Sequence, residues 1–324
     1  MKYSILSAGI FVALTSTTSA FASDFPQKFE HKFGNSVVDK KPIRVVSLSF
    51  NGPDNILALG VKPVAIRSWI IKDNYGVGPW GIELLGDAKP YVIEGELNIE
   101  KIAELQPDVI LGMYSGINKE QYALLSEIAP TIAAEEQYTD YGTPWHIRSQ
   151  TIARALGQSE KMEKLLNGVK NKITQIVDKH PDWKGKTATI GYNWGETPGV
   201  YQAKDSRATL VNQLGFVTPD AIAEAGDPDS FHVALSTEDI SLLEADITIW
   251  MVGSDEDSLA KLDDLKLRKT LKVYKEGREI LAPDNITRAM SYSTVLSIPY
   301  MIDELVPMIE DAIDGDPKTI VQIK

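Results

Sequence analysis

The sequence predicts an α/β protein built as two lobes with mainly parallel sheets, joined by one long helix. Three observations carry that expectation. Short β-branched runs alternate with helical patterns, the signature of parallel strands linked by helical crossovers. Residues 158–180 interrupt the alternation with a single amphipathic stripe. One pattern also occurs twice. "ELNIEKIAELQPDVILG" (Glu96–Gly112) matches "ALSTEDISLLEADITIW" (Ala234–Trp250), setting Glu100 opposite Glu238, Leu105 opposite Leu243 and Asp108 opposite Asp246.

The elements follow in order. "IRVVSLS" (Ile43–Ser49) is apolar enough for a buried strand. "PDNILALG" (Pro53–Gly60) is a helix closed by glycine, and "VKPVAI" (Val61–Ile66) the next strand. "NIEKIAELQ" is a helix and "PDVILG" a strand. In residues 158–180 the apolar positions Met162, Leu165, Leu166, Val169, Ile173, Ile176 and Val177 recur at helical spacing, with charges on the other faces. "TATIGY" (Thr187–Tyr192) then resumes with a strand, "SRATLVNQLG" (Ser206–Gly215) with a helix. The second copy is a further helix and strand, and "REILAP" (Arg278–Pro283) a later strand. Residues 292–313 form a helical pattern interrupted by prolines. The expected units are a leader over 1–22, an N-terminal lobe over 23–157, the connecting helix over 158–180 and a C-terminal lobe over 181–324.

Composition narrows the function. The 324 residues give room for about two domains at ~100–200 residues each. The net charge of −12 argues against nucleic acid and anionic membrane surfaces as partners. There is no cysteine, hence no disulfide and no thiolate metal site. Lys2, the apolar run Ile5–Leu14 and Ala20-Phe21-Ala22 make a signal peptide cleaved after Ala22. That run is too short to span ~30 Å of hydrocarbon. With no cysteine to carry a lipid, the expectation is a soluble protein free in the periplasm.

Asn98 and Ser236 are good N-caps, which would place Glu100 and Glu238 at the second position of a helix. There the helix dipole stabilises a carboxylate by ~0.3–1 kcal/mol. One such carboxylate per lobe also makes a pair of negative posts suited to a two-fold partner carrying arginines.

The segments "PIRVVSLSFNGPDNILALGVKPVAI", "LGDAKPYVI", "LNIEKIAELQPDVILG", "EIAPTI" and "SIPYMIDEL" resemble, in order and spacing, the iron-siderophore and vitamin B12 periplasmic binding proteins of ABC importers. The resemblance covers nearly the whole chain after the leader. It implies two Rossmann-like lobes on one rigid backbone helix, with the ligand in the cleft between them. It also implies that one glutamate per lobe, here Glu100 and Glu238, docks on arginines of an inner-membrane ABC permease dimer served by an ATPase.

Ligands of open α/β sheets bind beyond the carboxyl ends of the strands. The residues there are Phe50-Asn51, Arg67-Ser68-Trp69, Tyr114-Ser115, Asn193-Trp194, Met251-Val252 and Thr287-Arg288. Trp80 lies in the glycine-rich "YGVGPWG", Arg207 at a helix start, and Phe231-His232 just before the second repeat. The candidate ligand residues are Arg67, Trp69, Trp80, Tyr114, Trp194, Arg207, Phe231, His232 and Arg288. Aromatic rings suit the apolar faces of a ferric chelate, and Arg and His its oxygens. In catecholate-siderophore binders resembling this chain an arginine matches Arg207 and a histidine lies near His232. Arginines those proteins carry after two further strands are absent here. Either Arg67 and Arg288 substitute, or the ligand is of hydroxamate, mixed or carboxylate type.

Enzyme signals fail. "HPDWKGKT" has His180 where a phosphate loop needs glycine, and it precedes a strand instead of following one. There is no G-x-S-x-G, and the four histidines do not cluster. The expectation is a monomeric receptor for an iron(III)-siderophore, without cofactor or catalysis. A receptor for another chelate (corrinoid or haem) is the alternative, and a secreted α/β enzyme a more distant one.

Overall fold

The structure, a computed structural model, describes residues 25–195, 197–253 and 256–319. The expected leader lies outside the described residues. The strands β1 (Gln27–His31) and β2 (Gly34–Val38) form an antiparallel hairpin. The first lobe is a wholly parallel sheet of β3 (Val45–Ser47), β4 (Ala65–Arg67), β5 (Tyr91–Ile93), β6 (Val109–Gly112) and β7 (Thr131–Ala133), in the order β5-β4-β3-β6-β7. Between these strands run α1 (Asp54–Ala58), α2 (Ile82–Leu85), α3 (Ile99–Glu104) and α4 (Lys119–Ile128). The strand order reverses between β3 and β6, so the loops after these two strands lie side by side. The Phe50 N–H donates to the Tyr114 carbonyl at 2.9 Å across that point.

Two helices then leave the sheet, α5 (Trp145–Ala155) and α6 (Ser159–Lys179). At 21 residues α6 is about 30 Å long. Met162, Leu166 and Val169 on its apolar stripe are buried in a core that also holds Val45 and Val109 of the first sheet and residues of the second lobe.

The second lobe comprises β8 (Ala188–Trp194), β9 (Thr197–Tyr201), α7 (Ser206–Gln213), α8 (Asp220–Ala225), β10 (His232–Ala234), β11 (Ile247–Trp250), α9 (Glu256–Asp263), α10 (Lys272–Lys275), β12 (Glu279–Leu281), α11 (Asp284–Tyr292) and α12 (Ser297–Ala312). Its sheet order is β10-β9-β8-β11-β12. β8, β11 and β12 are parallel, and β9 and β10 join antiparallel. Among the described residues no helix is long and apolar enough to cross a membrane.

Two expectations are corrected. The second copy of the repeat makes no helix before its strand. The Ser236 hydroxyl accepts the Glu238 N–H at 3.1 Å, and the Asp239 carboxylate accepts the Ser241 N–H at 3.0 Å. Such local side-chain bonds offer the backbone an alternative to helix, and only a 3-10 turn forms at Ser241–Leu243. In the first copy Asn98 instead accepts from the Lys101 N–H at 2.9 Å and caps α3. Glu238 therefore stands in a turn, Glu100 on a helix, and both are exposed. The last helical pattern is also two helices: Ser293 takes a left-handed φ of 49° and ends α11, and α12 starts only at Ser297.

That corner fastens the lobes. Asn51 Nδ2 donates to the Tyr292 carbonyl at 2.7 Å, and Arg148 Nη2 to the Ser293 carbonyl at 3.0 Å. The Tyr292 hydroxyl donates to the Gly76 carbonyl at 3.0 Å. Gly52 has φ +69°, and a Cβ there would lie 2.6 Å from the Tyr292 ring, so only glycine fits.

Candidate ligand-binding cleft

The first wall comes from strand ends. The Arg67 guanidinium stacks 4.3 Å from the centre of the Phe50 ring. Its two Nη groups donate to the Ser115 and Gly95 carbonyls at 3.0 and 3.1 Å, and its Nε is buried without a hydrogen-bond partner. Burial pulls its pKa below the usual arginine value, with Tyr141 and Glu96 pulling the other way. Phe50 also packs against Trp69 and Tyr141, with ring centres 5.8 and 6.1 Å apart. Tyr114 meets Tyr141 edge-on at 5.3 Å. Behind Tyr114 lies Arg148 of α5, 4.5 Å from its ring and buried, donating to the Thr143 carbonyl at 2.7 Å. Among the described residues no carboxylate partners Arg148, and burial pushes it down to about 10.

The second wall follows from register. Tyr192 pairs with Gly199, Trp194 with Thr197, and Tyr201 with His232. Side chains alternate faces along a strand, so Tyr192, Trp194, Tyr201 and His232 share one face. Tyr192 and Trp194 stack at 4.0 Å, and His232 lies 5.6 and 5.3 Å from them. Arg207 stacks 3.9 Å over Tyr201 and pairs with Asp205, Nε to Oδ1 at 2.9 Å and Nη2 to Oδ2 at 3.3 Å. Burial raises the Asp205 pKa against the pull of Arg207. It also pushes the Tyr192 and Tyr201 phenols up to about 12, so they stay neutral.

Tyr114 of the first wall lies within electrostatic reach of the second lobe. Burial raises the Tyr114 pKa, while Arg148 and, from the other lobe, Arg207 and Asp205 act on it electrostatically. Trp69 and Trp194 are 41% and 54% exposed. Such a cleft can hold an aromatic-sized body between rings and offer charge-assisted hydrogen bonds to its oxygens. Among the described residues no group of three His, Cys, Asp or Glu could hold a metal ion.

Of the residues expected from sequence, Arg67, Trp69 and Tyr114 are on the first wall and Trp194, Arg207 and His232 on the second. Phe231 is half-buried beside His232, and its carbonyl accepts the Gln202 N–H at 2.8 Å. Trp80 and Arg288 are engaged elsewhere. The Trp80 indole donates to Asp54 at 2.6 Å and packs on Tyr292 and Tyr300, because its glycine-rich loop folds back over α1. Arg288 lies within α11, facing Asp73 at 3.9 Å and Asp284 at 3.8 Å. Sequence reading missed Tyr141, Arg148, Tyr192 and Tyr201.

A model of the periplasmic binding protein family matches residues 62–285. The probable siderophore-binding lipoprotein YfiY of Bacillus subtilis (strain 168) is 27% identical over 278 residues, 81% of this chain and 82% of its own. A periplasmic solute binding protein from Mycobacterium smegmatis str. MC2 155 superposes with a TM-score of 0.79 at 28% identity, covering 88% of this chain and 98% of its own. PiaA of Streptococcus pneumoniae TIGR4, solved in complex with ferrichrome, gives 0.74 at 30% identity, covering 89% of this chain and 99% of its own.

Proposed function

The chain belongs to the periplasmic binding protein family, and from that premise we propose that it captures an iron(III)-siderophore outside the cytoplasm and delivers it to an ABC permease. The observation that carries this reading is the pair of facing walls, Phe50, Arg67, Trp69 and Tyr141 against Trp194, Tyr201, Arg207 and His232. Rings take the apolar flanks of a chelate and cations its oxygens. The chelator already fills the coordination sphere of the iron, so the chain needs no metal-ligand cluster. The relatives are named as binding proteins, which supports binding as the role of these walls. Ferric-siderophore relatives favour this ligand over a corrinoid or haem.

Glu100 and Glu238 are the permease contacts in this reading, one exposed carboxylate on each lobe. We propose further that the protein is free in the periplasm. Supporting this is the cysteine-free sequence, which offers no thiol for the lipid that anchors lipoproteins such as YfiY.

The test is tryptophan fluorescence. Ferric siderophores at micromolar concentrations or below should quench it, through the exposed Trp69 and Trp194. Saturable binding of free zinc or manganese, with no response to any siderophore, would remove the reading.

A further inference from the structure

Resting on the receptor reading, we infer that Asp205 is a specificity residue: it restricts the cleft to iron(III) chelates that are neutral or nearly so, of the tris-hydroxamate class, against trianionic tris-catecholates. The geometry is that of an internal counter-ion. Asp205 takes three hydrogen bonds from one residue, the backbone N–H of Arg207 at 2.9 Å, its Nε at 2.9 Å and its Nη2 at 3.3 Å. The two side chains are 6% and 12% exposed. Turning Arg207 toward a ligand would strand a buried carboxylate next to the incoming charge, the costly way to break a buried pair. Arg207 is therefore presented to the cleft as half of a neutral pair.

The two other guanidiniums, Arg67 and Arg148, donate to backbone carbonyls. Arg148 sits behind the Tyr114 ring with its donors on the Thr143, Tyr292 and Ser293 carbonyls. Arg67 has Glu96 within electrostatic reach. A trianionic complex would lose its water against these groups with little in return. In a tris-hydroxamate complex three ligand oxyanions cancel the charge of iron(III), and a neutral body with apolar flanks packs on the rings. Helix capping does not explain an aspartate here, since asparagine caps as well.

The experiment uses the full chain, with ferrichrome as the neutral probe and ferric enterobactin as the trianionic one, both followed by tryptophan quenching. Wild type should bind ferrichrome about a hundredfold tighter or more. Asp205→Asn keeps the cap of α7 and frees Arg207, so the ratio should narrow by at least about tenfold, ~1.4 kcal/mol. A ferric enterobactin affinity equal to or above that for ferrichrome overturns the inference and leaves the receptor reading standing. So does an Asp205→Asn variant that weakens both probes alike, the mark of a structural role. The wild-type comparison stands even if that variant does not fold. Binding of neither probe also overturns the inference, and if ferric citrate fails too, the receptor reading falls with it.

Discussion

Replacing Asp54 with Asn should flatten the pH dependence of stability. Asp54 is fully buried where the lobes meet. Its Oδ2 accepts the Trp80 indole N–H and the Thr294 hydroxyl, both at 2.6 Å, and its Oδ1 has no partner. Burial pushes the carboxyl from its ordinary 3.8 up to about 7, against the pull of those two bonds. Between these values the folded chain keeps a proton that the unfolded chain has released. Stability is thus lost as pH rises from 3.8 to about 7, and the full cost is present above that. At ~1.36 kcal/mol per pH unit the cost reaches roughly 4 kcal/mol. Asparagine keeps an acceptor for Trp80 and Thr294 and has no charge to bury. In urea denaturation, the stability of Asp54→Asn relative to wild type should rise by roughly 3 kcal/mol between about pH 5 and about pH 8.5. Parallel curves for the two proteins would refute the reasoning, since the carboxylate would then be as comfortable folded as unfolded.

Arg67→Ala should weaken chelate binding by ~1.5–3 kcal/mol, the loss of a charge-assisted hydrogen bond. Arg288→Ala, which removes ion pairs to Asp73 and Asp284, should leave affinity unchanged by calorimetry. The double variant Glu100→Lys with Glu238→Lys should bind siderophore like wild type yet fail to support uptake in cells lacking the native receptor, because on the proposed docking it sets like charges against arginines of the permease. Normal uptake by that variant would return both glutamates to ordinary surface residues.

The connecting helix was legible because its signal is local and repeated: the stripe from Met162 to Val169 is the face buried in the core, and Ser159–Lys179 falls one residue inside each predicted end. The second repeat was misread because Ser236 and Asp239 cap a turn as readily as a helix, and only geometry decides. Strand-end reading reached Arg67, Trp69 and Tyr114, since parallel topology alone brings the ends of β4 and β6 to one edge of the sheet, and Trp194 at the end of β8 in the other lobe. Tyr201 was missed with its hairpin, though Tyr192 and Trp194 alternating into Gly195 were a usable sign of one. Tyr141 sits in a loop without period. The chain between Thr139 and Gly142 folds so that its hydroxyl covers Gly116 (φ +62°), where a Cβ would collide with it. Arg148 reads as a surface arginine, and nothing local shows that two of its three acceptors, the Tyr292 and Ser293 carbonyls, lie in the other lobe.

The corner at Ser293 also bears on how the chain is made. Arg148 and Asn51 find their carbonyl acceptors 145 and 241 residues downstream. A nascent first lobe therefore carries a buried guanidinium and a buried amide whose bonds cannot close until the end of α11 has been synthesised. Short of those acceptors, the amide and one end of the guanidinium oppose burial, so the part made first is completed last.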